Sequence, residues 1–215
     1  MMTHAYQEIY LSNAQSSLGD AFDYAINTCK ISGENFIQML LSSSVCKKLE
    51  NGEANYLAGK SGVEIAREIL EETTGKQPDH EQDYHTSRSP EYWIGWAVAY
   101  YQWRSGRRYQ QIFEALRFQN LENMYYTLHE ADVSKFADIA EQRIKEVFPD
   151  TNLKRIRTTY GCTQAELSKR AQVSLRSIQM YEQRQKDINK ASVDTVHRLS
   201  MVLGCQIEDL LEFRT

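Results

Sequence analysis

The sequence has few of the residues that interrupt regular structure. Its 215 residues include only 3 prolines and 10 glycines, fewer than a turn-rich β-fold or a collagen-like chain requires. No run reaches the ~18 apolar residues that a membrane-spanning helix needs, and the N-terminus has no basic cluster followed by an apolar segment. Hydrophobic residues make up 41% of the chain and charged residues 25%, as in typical globular proteins. We therefore expect a soluble, cytoplasmic protein without membrane contact.

Cysteines and metal-binding patterns are equally sparse. The four cysteines, at positions 29, 46, 162 and 205, form no close pair and have no nearby histidine, so the sequence indicates neither a disulfide framework nor a zinc motif. His80, Asp83 and His85 have suitable chemistry for a metal, but they fall in a polar segment, 76–88, that is predicted to be a solvated loop. We predict no metal and no cofactor. No serine or cysteine nucleophile is paired with a histidine and a carboxylate, so the protein is predicted not to be an enzyme.

Apolar residues at three- and four-residue steps predict an all-α chain. Helices are expected at about 5–31, 35–50, 61–75, 90–105, 108–117, 120–128 and 132–147, and Gly19 is expected to weaken the first of them. Ser61 and Glu64 fit a capping box, and Ser89-Pro90-Glu91 is a typical helix start. With Pro149 as a boundary, we predict a helical N-terminal domain over 1–148 and a second domain over 150–215.

Two features of the N-terminal region have alternative interpretations. Gly59-Lys60-Ser61 resembles the end of a phosphate-binding loop, but Ala54 stands where that motif has its first glycine, and an amphipathic helix precedes it instead of a strand. A simple helix cap at Ser61 is therefore favoured. The stripe of Trp93, Trp96, Tyr100 and Trp103 along one helical face could form a base-stacking or ligand platform, but its spacing favours a core position.

Charge is distributed unevenly between the two predicted domains. Residues 1–149 contain 14 basic and 21 acidic residues, whereas residues 150–215 contain 11 and 8. Within 151–200 the counts are 10 basic and 4 acidic. A basic module of this kind suits contact with nucleic acid, because neutralisation of phosphates supplies most of the non-specific affinity; a solvated basic face is the alternative.

The segment 151–211 has the most specific pattern in the chain. A first helix begins near Leu153 and ends at Tyr160-Gly161, Thr163 and Glu166 form a capping box for a second, and Ser174 caps a third over about 175–183. A fourth helix over 192–203 ends at Gly204, and a short fifth covers 207–211. Apolar residues fall where a compact five-helix core needs them, namely Leu167, Ala171, Val173, Ile178, Tyr181, Val196, Leu199, Val202, Leu203 and Leu210.

This pattern resembles the helix-turn-helix family of lambda-like repressors and Cro, often called the Xre family. The resemblance covers about 60 residues through Thr163-Gln164, Leu167, Val173-Ser174, Ile178, Glu182 and Leu203-Gly204-Cys205. It implies a five-helix lambda-repressor-like domain whose third helix docks in the major groove of double-stranded DNA. Two departures affect the expected angle of that helix, both at positions where the family often has glycine. Gln172 stands in the turn, where a left-handed conformation would have a cost for glutamine, and Arg184 stands two residues after Glu182.

Carried over by position, the resemblance implies two sets of DNA contacts. Leu175, Arg176, Gln179 and Met180 are expected to face base edges, with Arg176 suited to guanine and Gln179 to adenine. A second set is expected to bind phosphates and set the register: Gln164, Ser174, Ser177, Arg184, Gln185 and Lys186.

Three hypotheses for the whole chain remain open. The first is a sequence-specific transcriptional regulator that binds DNA as a homodimer. Short stretches, 56–62 and 89–96, are similar to bacterial helix-turn-helix regulators encoded beside toxin-like enzymes, which implies an antitoxin-like role in which the acidic domain binds a basic partner protein. The second is a ligand-sensing repressor whose aromatic stripe lines a small-molecule pocket, and the third is an enzyme with a DNA-binding tail.

Overall fold

The computed structural model describes residues 4–76, 78, 88–148, 150–183 and 186–212. The chain divides into two compact units, Met1–Val147 and Phe148–Arg214. Every regular element among the described residues is helical, which confirms the all-α prediction. Within those residues, no helix has both the length and the apolar character needed to cross a membrane.

The N-terminal unit is built from helices of 7 to 16 residues. In its described part these are α1 (Leu11–Asp23), α2 (Gly33–Ser42), α3 (Ser44–Glu50), α4 (Gly62–Thr74), α5 (Pro90–Ser105), α6 (Tyr109–Ala115), α7 (Phe118–Leu128) and α8 (Val133–Val147). Two π-helical turns, Tyr24–Thr28 and Asn55–Gly59, follow α1 and precede α4. The predicted helix starts at Ser61 and Ser89 are confirmed, because both side chains accept a backbone N–H three residues on.

Glycines allow α1 to pack very closely against its neighbours. A Cβ placed on Gly95 of α5 would come within 2.4 Å of the Leu18 carbonyl oxygen of α1. A Cβ on Gly62 would lie 2.3 Å from the Ser17 carbonyl oxygen. Gly19 itself is buried against Tyr92. Gly19, which was expected to weaken α1, therefore lies where α1 and α5 approach closely, and this close packing stabilises the unit.

Helix α5 is buried on several sides. Its most buried side chains include Ile94, Ala97 and Val98, which do not belong to the predicted aromatic stripe. Within the stripe, Trp103 is buried, whereas the other three residues are half-buried. The predicted core position is therefore confirmed for Trp103, whereas the other three residues are only partly buried, because α1 packs against one side of α5 and α7 and α8 pack against others.

Helices α2 and α3 correct the prediction of one helix over 35–50. The chain breaks at Ser43, whose ψ of 157° is extended. The first amide of α3, on Ser44, donates to the Glu72 carboxylate of α4 at 2.6 Å. Glu50 of α3 accepts from the Tyr109 amide at 2.7 Å, and Glu34 of α2 accepts from the Phe118 amide at 3.0 Å. Three helices are thus capped by carboxylates distant in sequence, which satisfies amides that have no intrahelical partner.

The Gly59-Lys60-Ser61 segment has a structural explanation. Ser61 and Glu64 form the predicted capping box, and a π-helical turn precedes it. The Lys60 ammonium is bonded to Glu68 and lies 4.6 Å from the centre of the Tyr56 ring. Burial of the Glu68 carboxylate opposes its ionisation, but hydrogen bonds from Lys60, Tyr56 and Lys48 outweigh this and lower the pKa of Glu68 to about 2. The lysine is held by internal partners, which agrees with the simple helix cap.

The C-terminal unit contains the five helices expected from the sequence. They are α9 (Asn152–Thr159), α10 (Gln164–Ala171), α11 (Leu175–Glu182), α12 (Val193–Leu203) and α13 (Ile207–Leu210), with a short 3₁₀ turn at Ile188–Lys190. Nine of the ten predicted core residues are buried in one cluster, and Val202 packs against it half-buried. Leu153, Cys162 and Ile188 complete the cluster. The two predicted caps, Thr163 and Ser174, accept backbone amides of α10 and α11.

Candidate nucleic-acid interface

Helix α11 has one face in the core and one face in solvent. Ile178 and Tyr181 are buried in the core cluster. On the other face Arg176 is exposed, Gln179 and Met180 are half-buried, and Leu175 is 39% exposed. The four residues expected to face bases therefore lie together on the accessible side of α11, since positions i, i+1, i+4 and i+5 share a helical face. Within the described part of the chain, the Arg176 guanidinium has no ion-pair partner.

The residues expected to bind phosphates are more varied in their surroundings. The Gln164 side chain donates one amide hydrogen to Glu182 at 2.7 Å and is half-buried. Ser174 and Ser177 are hydrogen-bonded to each other at 2.8 Å. Lys186 is exposed, with its ammonium 5.3 Å from the centre of the Tyr181 ring. Arg184 and Gln185 lie outside the described residues.

The turn between α10 and α11 contains the first departure from the resembled family. Gln172 has φ 53° and ψ 37°, the left-handed conformation in which a glycine would be free of strain. The amides of Gln172 and Val173 both donate to the Ser168 carbonyl oxygen. The Ser168 hydroxyl donates to the Val173 carbonyl oxygen at 2.7 Å. The sequence predicted a conformational cost at Gln172, and the turn indeed requires the left-handed conformation.

A buried ion pair that the sequence reasoning missed connects α9 to α11. The Arg157 guanidinium donates to both carboxylate oxygens of Glu182, at 2.6 and 2.9 Å. The Glu182 side chain is only 2% exposed. Arg157 also donates to the Cys162 carbonyl oxygen at 2.7 Å, and hydrogen bonding to Glu182 raises the pKa of Arg157. The sequence indicates Glu182 only as a position of the family motif, and the available signal for its ion pair is its buried place on an amphipathic helix.

Acidic side chains of this unit are largely occupied by internal partners. Over 151–200 these partners are the Thr163 amide for Glu166, Arg157 for Glu182, the Asn189 amide for Asp187 and Arg198 for Asp194. Basic side chains are mostly exposed: Arg155, Lys169, Arg170, Arg176, Lys186 and Lys190. Exposed basic side chains therefore outnumber exposed acidic ones over 151–200, which favours association with phosphates.

The structure gives no support to a metal site. Among the described residues, no group of three or more histidine, cysteine or acidic side chains is placed to hold a metal ion. His80, Asp83 and His85 lie outside those residues. The four cysteines are free thiols, of which Cys46 and Cys162 are buried and Cys29 and Cys205 are half-buried.

Comparison with known proteins agrees with this geometry. Residues 153–210 match the model of a helix-turn-helix family. The match covers the five helices of the C-terminal unit and none of the N-terminal unit. The chain has no match among curated proteins and none among solved structures.

Proposed function

We propose that this chain, whose residues 153–210 form an Xre and lambda-repressor-like helix-turn-helix domain, is a sequence-specific DNA-binding transcription regulator. The observation that carries the proposal is the solvent face of α11, where the exposed Arg176 stands beside Gln179 on a helix anchored in the core. In this docking class such a face enters the major groove. Residues 150–215 act as the DNA-binding domain, and residues 1–148 form a partner-binding or dimerisation domain.

The two sets of side chains have different roles in this proposal. Arg176 makes a bidentate contact to guanine and Gln179 pairs with adenine, while Leu175 and Met180 pack against thymine methyls. Lys186, Arg184, Gln185, Ser174, Ser177 and Gln164 contact phosphates and hold the register. Ser174 caps α11 by accepting the Ser177 amide, which leaves its hydroxyl hydrogen available as a donor. That hydrogen is bonded to the Ser177 oxygen in the free protein, so it turns from Ser177 to a phosphate oxygen on binding, while the Ser177 hydroxyl donates its own hydrogen.

Selection of bound sequences from random DNA, with the full-length protein, tests the proposal directly. A recurrent motif is expected, bound much more tightly than random DNA of the same length. Binding should weaken steeply as salt rises, because basic side chains release counterions from phosphates. Recovery of no motif at any salt concentration would show that the helix-turn-helix domain has another role.

Substitutions on and beside α11 should separate base readout from phosphate binding. Arg176→Ala should relax the preference at one base pair, costing about 1–3 kcal/mol of discrimination there. Lys186→Ala, and likewise Arg184→Ala, should weaken binding to all sequences about equally and reduce the salt slope by about 1. Titrations of operator and scrambled DNA at several salt concentrations measure both effects. If the Arg176 and Lys186 variants kept full affinity and specificity, the proposed docking would be wrong.

We further propose that the protein binds DNA as a homodimer. A single strong base-contacting residue supplies too little discrimination to select one site among genomic competitors. In a homodimer, two recognition helices bind two half-sites, so the preference for the correct half-site sequence is applied twice. The N-terminal unit would supply the dimer contact or, in an antitoxin-like role, bind a basic partner protein. Its 21 acidic against 14 basic residues over 1–149 support such a partner.

Light scattering of the full-length protein, alone, with operator and with the product of the adjacent gene, measures both assemblies. The expected operator is two-fold symmetric, with half-site centres about 34 Å apart or a multiple of that. A monomer bound to an asymmetric site would exclude the homodimer, and a neighbouring gene product that leaves the mass unchanged would exclude the antitoxin-like partner.

A further inference from the structure

The backbone amides and carbonyls of Gln172 and Val173 have identifiable partners, and one of these partners comes from a distant helix. The Ser168 carbonyl oxygen accepts from the amides of Gln172 and Val173, and the Ser168 hydroxyl donates to the Val173 carbonyl oxygen. The Gln172 carbonyl oxygen instead accepts a hydrogen bond from the Arg198 guanidinium of α12, at 3.3 Å. Through this bond, a side chain 26 residues away in the sequence contacts the left-handed residue directly.

Gln172 needs such support because its conformation is unfavourable for a residue with a Cβ. Left-handed backbone brings Cβ close to the following carbonyl oxygen, a clash that glycine avoids. Glutamine also lacks the short polar side chain that makes the conformation easier for asparagine. The residue persists in this state only where surrounding structure enforces it, and a cationic hydrogen bond to its carbonyl does so.

Arg198 is itself held in place for this contact. Its guanidinium pairs with the Asp194 carboxylate one helical turn earlier, at 2.6 Å, and donates to the Asp194 carbonyl oxygen at 3.4 Å. Arg198 thus links the start of α12 to the turn that sets the direction of α11. The planar guanidinium suits this task, since it can donate to both partners from fixed positions.

We propose that Arg198 is a positioning residue that fixes the angle of α11 on DNA by holding the left-handed Gln172. It acts through the turn and does not read bases. In this chain, Arg198 supplies the constraint that a glycine at position 172 would make unnecessary. The proposal rests on the proposed reading of DNA by α11 and identifies what sets its geometry.

A double-mutant cycle between Arg198 and Gln172 tests the proposal in the full-length protein. Arg198→Ala should weaken binding to the selected operator about tenfold, because a charged hydrogen bond is lost, while binding to scrambled DNA changes less than about twofold. In the Gln172→Gly background, where the turn needs no support, Arg198→Ala should cost less than about twofold on operator as well. Arg198→Lys keeps the positive charge but not the planar guanidinium with its several fixed donors. Its operator affinity should lie between those of the wild type and Arg198→Ala.

Matched controls distinguish the other roles that Arg198 could have. Lys190→Ala removes an equal charge from an exposed lysine of the same unit and should leave the ratio of operator to scrambled binding unchanged. Equal losses from Arg198→Ala in both backgrounds and on all DNA, with a shallower salt slope, would make Arg198 a phosphate contact. Reduced thermal stability with an unchanged binding ratio would make it a structural residue only. Either result overturns the proposal. A wild-type protein that selects no operator would instead refute the proposed function itself.

Discussion

Arg157→Ala should largely unfold the C-terminal unit. Among the described residues, the substitution leaves the Glu182 carboxylate, 2% exposed, with the Gln164 amide as its one remaining side-chain partner. Removing one member of a buried ion pair costs about 3–5 kcal/mol, because the remaining charge is neither solvated nor neutralised. A domain of this size has a total stability of the same order. DNA binding should therefore be lost together with the fold of this unit.

The distribution of tryptophan allows the two units to be followed separately. Trp93, Trp96 and Trp103 are the only tryptophans and all lie in the N-terminal unit. In Arg157→Ala, the tryptophan fluorescence transition on heating should stay in place while helical circular dichroism is already reduced at low temperature. If Arg157→Ala were fully helical and still bound operator, the ion pair would contribute much less to the stability of the C-terminal unit than the expected value of about 3–5 kcal/mol.

A compensating variant separates the ion pair from the volume that it fills. Arg157→Leu combined with Glu182→Leu removes both charges and keeps apolar volume between α9 and α11. Replacing a buried pair by well-packed hydrophobic residues is often neutral, so the double variant should regain at least about half of the helix lost in Arg157→Ala. Less recovery than that would mean that the bonds to Cys162 and Gln164 carry the stability.

Gly95→Ala should strongly destabilise the N-terminal unit. Helix propensity alone predicts a gain of about 1 kcal/mol from this substitution in a helix. The added Cβ, however, would come within 2.4 Å of the Leu18 carbonyl oxygen and within 2.9 Å of the Gly19 Cα, both of which belong to backbone. Because backbone cannot rotate away as a side chain can, α1 and α5 must separate. We expect a net loss of about 3 kcal/mol.

Thermal unfolding followed by tryptophan fluorescence measures this effect in the N-terminal unit. Gly75→Ala serves as the matched control, because Gly75 has φ +71° but nothing within 4 Å of an added Cβ. That variant should lose only about 1–2 kcal/mol, the conformational cost of left-handed backbone. An unchanged or raised transition temperature for Gly95→Ala would show that the close approach of α1 and α5 is not required.

Local signals in the sequence determined most of the C-terminal unit. Thr163 with Glu166, Ser174 and Gly204 delimit helices by contacts within five residues, so pattern and capping chemistry predict them directly. Amphipathic spacing likewise identified the core, and the resemblance to the lambda-like repressors indicated Arg176 and Gln179 on the outer face of α11. The DNA contacts of that face remain predictions.

The N-terminal unit was predictable in its helices but not in its packing. The break at Ser43 follows no glycine or proline; Glu72 stabilises it from 28 residues away. The partial burial of Trp93, Trp96 and Tyr100 depends on which neighbours surround α5. Periodicity identifies an apolar face, whereas the number of faces that become buried depends on the other helices.

Only the tertiary structure placed the long-range polar partners, Glu182 with Arg157 and Gln172 with Arg198. The members of these pairs are 25 and 26 residues apart. Caps such as Thr163 with Glu166 and helix stops such as Gly204 arise from bonds between near neighbours, so the local sequence determines them. Partners across the fold depend on helix angles that are set by the packing of the whole core, and no local pattern contains those angles.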